Sequence, residues 1–253
     1  MKKKKTLVNQ DHFLERQKMN KISYKEDVYV FEDFLSKEEC ESILKYWEYK
    51  QSTGKLMWNP ISFYESYAFG FEESDEELAK FNLPSDYFLT LKNKIQKATE
   101  EAHSRLVKEV SYHAQKWIPG AFASFHSDNS SNGEYNAFER SKIATFLYLN
   151  DNFGGGELNF KDDPIIIKPK TGMLATFAGG HNNEHEVKVV EGSDRFTIGS
   201  FWDYAESEYS QEKQDSWARE LAEVRAQQAI QQKEWEDLRN KGIQLSPYGG
   251  QNV

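Results

Sequence analysis

The sequence predicts a mainly β core with flanking α-helices, a sandwich or barrel of jelly-roll type. Three observations predict it. Between residues 110 and 204, short β-rich runs alternate with turn signals: SYHAQKWI, AFASFHSD, KIATFLYLN, GELNF, PIIIKP, GMLATF, HEVKVV and DRFTIGSFWDY, punctuated by PG, NDNFGGG, DD, KPKTG and EGSD. No gap between these runs can hold a crossover helix, which excludes a parallel α/β sheet. Helical periodicity is confined to the two sides of this block.

The elements follow in order. Residues 1–25 read as a flexible basic tail, in which MKKKK is a solvated charge run. VYVF is a short strand. Ser36 with Glu39 forms a capping-box signature, and Ile43, Leu44 and Trp47 continue a helix from it. PISFYESYAFG, residues 60–70, is extended, and FEESDEELAK, residues 71–80, is an acidic turn or short helix. Residues 85–109 predict a helix, with Phe88, Leu91, Ile95, Ala98 and Ala102 at steps of three and four. The glycines 154–156 lack the lysine and helix of a phosphate-binding loop, so they read as a tight turn. Beyond Tyr204 a polar helix runs on for roughly 35 residues. Trp217, Leu221, Val224, Trp235 and Leu238 share one register, which Gln228 and Gln231 interrupt. That helix either packs on its own domain or makes a homodimer contact, and Gly242 is its expected stop. The division is therefore a tail at 1–25, a domain at 26–204 with its core at 110–204, and a C-terminal helix and tail at 205–253.

Of 253 residues, 38% are hydrophobic and 14% aromatic, enough for a packed core rather than wholesale disorder. A net charge of −9 argues against a nucleic-acid binder, which needs a basic footprint. A single cysteine, Cys40, allows no intrachain disulfide and fits a reducing compartment. The start lacks the continuous apolar core of a signal peptide, and no stretch has the roughly 18 apolar residues of a membrane span. The expectation is a cytoplasmic protein without membrane or nucleic-acid partners.

The chemistry centres on FASFHSDN, residues 122–129. His126 and Asp128 lie two apart, on one face if the strand continues that far. An imidazole nitrogen and a carboxylate oxygen suit a borderline divalent metal, although a core histidine beside a surface aspartate would give the same pair. Among six histidines only His126 is followed at +2 by an acid. A third ligand must come from a later strand. His185, which opens HEVKVV, is preferred to His181, which sits in a turn. Two histidines and one carboxylate on one face leave three positions open, as in non-haem Fe(II) oxygenases. Three ligands around zinc with a bound water would instead suit hydrolysis. Arg195 and Thr197 are a second i, i+2 pair, on the last strand of the block. A guanidinium fork with a hydroxyl suits a carboxylate, which favours a dicarboxylate such as 2-oxoglutarate bound at one end by the metal.

The ordered set KWIPG, HSD, FLYLN, GGELNF, KPKTGMLATF, HEV and a strand-borne arginine resembles the Fe(II)/2-oxoglutarate-dependent dioxygenases, and in particular the prolyl 4-hydroxylase group. VYVFEDFLSKEEC resembles that group's opening strand and helix. The resemblance implies a double-stranded β-helix (jelly roll, cupin-like). It implies that His126, Asp128 and His185 hold the iron and that Arg195, with Tyr148, binds the distal carboxylate of the cosubstrate 2-oxoglutarate. Thr197 and Trp117 are further cosubstrate-pocket candidates, and Phe201 or Trp202 would supply an aromatic nearby. It implies Fe(II), 2-oxoglutarate, O2 and ascorbate as cofactors. The implied reaction hydroxylates a C–H bond, of peptidyl proline in a peptide or protein substrate, and releases succinate and CO2. Trp117 and Ala123 stand where many of the group have tyrosines, which bears on substrate identity. Other expectations are a free amino acid or small molecule as substrate, or a non-catalytic jelly-roll binding module. Residues 129–141 are expected to form a long polar loop after the metal-bearing strand, either an ordinary surface loop or, as the resemblance implies, a lid over the substrate.

Overall fold

Strand alternation sorts the molecule into two faces of one sheet. A computed structural model of the chain describes residues 20–56, 58–61, 66–72, 74–129 and 138–240. The strands are β1 (Asn20–Lys25), β2 (Val28–Glu32), β3 (Asn59–Ile61), β4 (Ser66–Gly70), β5 (Val107–Trp117), β6 (Ala123–His126), β7 (Ile143–Tyr148), β8 (Gly154–Gly155), β9 (Leu158–Phe160), β10 (Ile166–Ile167), β11 (Leu174–Ala178), β12 (His185–Val187), β13 (Val190–Glu191) and β14 (Arg195–Tyr204). The helices are α1 (Lys37–Ser52), α2 (Tyr87–His103) and α3 (Gln211–Asn240).

Eight strands form the major sheet in the order β1-β2-β11-β7-β14-β5-β4-β3, and four form a minor sheet, β10-β9-β12-β6. The pairings within both are antiparallel. The two sheets face each other as a jelly roll. On one face of the major sheet Leu147, Leu174, Ile198 and Trp202 pack against α1 and α2 through Ile43, Trp47, Leu91 and Ile95. On the other face Val30, Ala144, Tyr148 and Phe177 meet Leu158, Phe160 and Val187 of the minor sheet. Successive side chains alternate between faces, so one strand serves both cores.

Helix α1 starts at the expected capping box: Ser36 Oγ accepts from the Glu39 N–H at 3.1 Å, and Glu39 Oε2 accepts from the Ser36 N–H at 3.0 Å. The acidic 71–80 stretch becomes a short 3-10 turn, Glu76–Phe81. Helix α2 differs from its expected span. It ends at His103 because Ser104 turns into the left-handed region at φ 51°, and Val107 already opens β5. The glycine turn is present as expected, with positive φ at Gly155 and Gly156; a Cβ on Gly155 would lie 1.8 Å from the Val189 carbonyl oxygen.

The first turns of α3 dock on the domain. Trp217 is buried edge-on against Tyr209 at 4.7 Å, and Lys213 pairs with Glu139 at 2.6 Å. The other side chains of the expected α3 stripe, Gly242, the MKKKK run and residues 130–137 of the 129–141 loop lie outside the described residues. Among the described residues no helix is long and apolar enough to cross a membrane.

Candidate active site

Edge strand β6 ends at His126, so Asp128 is not part of the strand. The shared-face reading of the pair therefore gives way to a turn: the chain bends after His126, and Asn129 is held by its N–H to the Gly179 carbonyl at 3.1 Å. The bend delivers the Asp128 carboxylate to the same point. His185 arrives from β12, directly paired with His126 across the ladder. One ligand atom from each of His126, Asp128 and His185 lies within 4.8 Å of the others. His126 Nε2 is 3.7 Å from Asp128 Oδ1, and His185 Nε2 is 3.9 Å from Asp128 Oδ2. Those separations are too long for hydrogen bonds. They are wider than the roughly 3 Å between neighbouring ligand atoms that each sit about 2 Å from a common ion, so the three side chains converge on one point and would close slightly around an ion there.

The proton positions fit as well. His126 Nδ1 faces the Ser124 carbonyl at 2.7 Å, and His185 Nδ1 faces the Asn183 carbonyl at 2.9 Å. A carbonyl only accepts, so each Nδ1 carries the proton and each Nε2 presents a lone pair to the site. Asp128 Oδ2 is buried with no hydrogen-bond partner among the described residues. Burial holds the His185 imidazole below its ordinary pKa, against the pull of Asp128. Burial also lowers that of His126, but the neighbouring Asp128 carboxylate and Ser124 carbonyl outweigh it, and the net shift is upward. A divalent ion would satisfy the orphaned carboxylate and both lone pairs, so the residues fit a metal.

Arg195 opens β14 and is 2% exposed, opposite Trp117 on β5. Its guanidinium carbon lies 5.1 Å from the ring centre of Trp117 and 5.1 Å from that of Tyr148. Among the described residues it has no carboxylate partner, and its Nε and the Tyr148 hydroxyl are buried without hydrogen bonds. Burial pulls the Arg195 pKa down, opposed by Tyr148; burial pushes that of Tyr148 up, opposed by Arg195. An uncompensated buried cation is costly, and an incoming carboxylate relieves that cost.

His126, Asp128, His185, Arg195 and Trp117 line one pocket with Gln115, Phe146, Leu158, Val187 and Phe201. Tyr148 stands behind Arg195. Thr197 is fully buried and its hydroxyl donates to Gln115 Oε1 at 3.1 Å, so its one proton is already committed. Of the two aromatic candidates, Phe201 lines the pocket, while Trp202 points into the helix-side core. His181 is exposed and faces Glu184 at 3.4 Å. Gln115 lies outside the quoted motifs, and Phe146 and Val187 lie inside FLYLN and HEV without a role of their own, yet each of the three is two residues from a predicted site residue on the same strand. Strand parity alone points to them.

Residues 112–203 match the 2OG-Fe(II) oxygenase superfamily. Over 116 residues the chain is 30% identical to prolyl 3-hydroxylase 2 of Mus musculus, a match covering 44% of this chain and 15% of that protein. The chain thus spans a small part of the length of this curated relative. Among solved structures it is similar to a Pseudomonas putida prolyl-4-hydroxylase, with a TM-score of 0.54 and 18% identity over 71% of this chain and 94% of the other. It is also similar to a viral collagen prolyl hydroxylase of Paramecium bursaria Chlorella virus-1, with a TM-score of 0.52 and 16% identity over 72% and 98%. At such identities these likenesses speak to the fold. The superfamily match lies over the segment that carries the triad and the buried arginine, so this part of the chain is similar to 2OG-Fe(II) oxygenases, and the relatives it resembles are prolyl hydroxylases.

Proposed function

We propose that this chain is an Fe(II)- and 2-oxoglutarate-dependent dioxygenase that hydroxylates prolyl residues of a peptide or protein, releasing succinate and CO2. One observation carries the reading: a His-Asp-His cluster and a buried guanidinium that has no carboxylate partner among the described residues share a single pocket. His126, Asp128 and His185 would hold Fe(II). The iron, with 2-oxoglutarate and O2, supplies the oxidising power for insertion of oxygen into a C–H bond.

The chain's own residues do the remaining work. Arg195 offers a planar fork to the distal carboxylate of the cosubstrate, and the Tyr148 hydroxyl donates a further hydrogen bond. Trp117 and Tyr148 hold the guanidinium between their rings, which fixes its plane before the ligand arrives. Phe146, Leu158, Val187 and Phe201 keep bulk water away from the reacting atoms. The Ser124 and Asn183 carbonyls orient the two imidazoles.

The test needs no known substrate at first. Anaerobic protein is titrated with Fe(II) and then 2-oxoglutarate, and the weak visible charge-transfer band of chelated cosubstrate is followed. The band is expected in the wild type and lost in Arg195→Ala at the same cosubstrate concentration. Proline-containing peptides are then incubated with the aerobic system. A gain of one oxygen by mass spectrometry supports the substrate class, and NMR of the product tells C4 from C3. Folded, iron-loaded protein that shows no band contradicts the oxygenase assignment.

A further inference from the structure

One polar group on the metal side of the major sheet has no place in the chemistry above. His113 lies on β5, two residues before Gln115 and four before Trp117, on the face that lines the pocket. Its ring stacks on Phe201, with ring centres 6.3 Å apart and planes 16° from parallel.

A hydrogen-bond chain through Gln115 assigns its tautomer. The Gln115 amide is placed with Oε1 toward Thr197, whose hydroxyl donates to it at 3.1 Å. Gln115 Nε2 can then only donate, and it faces His113 Nε2 at 3.0 Å. His113 Nε2 therefore accepts, and the imidazole proton sits on Nδ1. Burial supports this neutral form, pushing the pKa of His113 down to about 4. Among the described residues Nδ1–H has no acceptor. A part-buried donor is served by solvent or by a ligand.

The surroundings suit a ligand. His113 pairs across the ladder with Gly70 on one side and Gly199 on the other. The Gln115 amide lies over Gly199, where a Cβ would press on it at 3.1 Å. Beside Gly70 the space is open. The Gly199 side is thus covered by Gln115, and the Gly70 side leaves room beside the donor for an extended backbone to approach.

We infer that His113 is a specificity-determining residue, whose Nδ1–H donates a hydrogen bond to a backbone carbonyl of a peptide substrate. The inference rests on the prolyl hydroxylase reading and adds the group that recognises the main chain of that substrate. Thr197 and Gln115 are positioning residues that act through His113.

The experiment compares two substitutions with opposite consequences. A pool of proline-centred peptides is offered to the wild type, and the peptide hydroxylated most is the probe. His113→Phe keeps the stacking surface and removes the donor. His113→Asn removes the ring and keeps an N–H near the Nδ1 position. The expected result is a peptide KM raised about five- to ten-fold in His113→Phe, the loss of one hydrogen bond, with kcat within about two-fold. The cosubstrate KM and the Fe(II) charge-transfer band stay unchanged, and His113→Asn returns toward the wild-type peptide KM. A structural role gives the reverse order, with the Phe variant normal and the Asn variant impaired, and that result overturns the inference. If the wild type consumes 2-oxoglutarate but hydroxylates no peptide, the carbonyl assignment falls and the oxygenase reading stands. If the band and the consumption are both absent, the oxygenase reading itself falls.

Discussion

The two faces of the eight-stranded sheet are built to different rules. On the helix side, Leu147, Leu174, Ile198 and Trp202 interlock with α1 and α2, and Trp47 gathers Trp58, Phe69, Phe71 and Phe196 around it at 5.3–6.2 Å. On the metal side, the same strands present Gln115, Arg195, Thr197 and Tyr148, and the facing sheet brings His185. Each of these polar groups is buried, and the Asp128 carboxylate and the Arg195 guanidinium have buried atoms without hydrogen-bond partners among the described residues. Protein interiors seldom tolerate such groups, so their clustering marks where folding stability gives way to ligand binding.

The sharpest way to break the comparison is to remove a group from each face. On the metal side, Asp128→Ala is expected to abolish Fe(II)-dependent 2-oxoglutarate turnover, a loss of more than about 100-fold, beyond the effect of most outer-shell changes. Its melting temperature without metal should be equal to or above that of the wild type, because an orphaned buried carboxylate disappears. Calorimetry with and without Fe(II) reads the stability, and succinate release reads the turnover. A large drop in metal-free stability would mean that the triad also serves as structure.

On the helix side the opposite is expected. Leu147 is fully buried against α1 and α2. Leu147→Ala should cost about 2–5 kcal/mol, read by urea unfolding, while turnover per folded molecule stays near that of the wild type.

The metal face is more legible along the chain than its shape would suggest. His126, Asp128, His185 and Arg195 stand in an order that is specific, and alternation accounts for Arg195 and Thr197. Asp128 reaches the site by a bend rather than by strand periodicity, which no pattern along the chain reports. Thr197 has the right face for a ligand group; its hydroxyl is taken by Gln115, 82 residues away in sequence, a pairing set only by the β5–β14 register. On the helix face, periodicity overstates the length of α2 because its stop is Ser104 in the left-handed region rather than a glycine. The apolar spacing from Phe88 to Ala102 still marks the correct buried stripe.

Acid sharpens the contrast further. His113 keeps its proton off in the folded chain, with a pKa near 4 against an ordinary 6.5. The unfolded chain therefore binds a proton first as pH falls. Stability from this group is complete above pH 6.5 and drains away between 6.5 and about 4, by at most about 3 kcal/mol. Urea midpoints measured across that window should fall less steeply in His113→Phe than in the wild type. An unchanged slope would place the acid sensitivity elsewhere, for instance at His103 on the other face, whose pKa burial also lowers.

The smallest expected effect tests whether the faces are independent. Ser36 and Glu39 close the capping box of α1, and the Tyr87 hydroxyl of α2 donates to Glu39 Oε1 at 3.3 Å, so one carboxylate ties the starts of both helices. Ser36→Ala opens the box and should cost about 1 kcal/mol. It leaves the sheet residues that touch the pocket in place. Turnover and the cosubstrate KM, corrected for folded fraction, should then match the wild type. A shift in that KM at equal folded fraction would show that α1 and α2 press on Arg195 through the sheet. The strands would then transmit strain between the two faces as well as divide them.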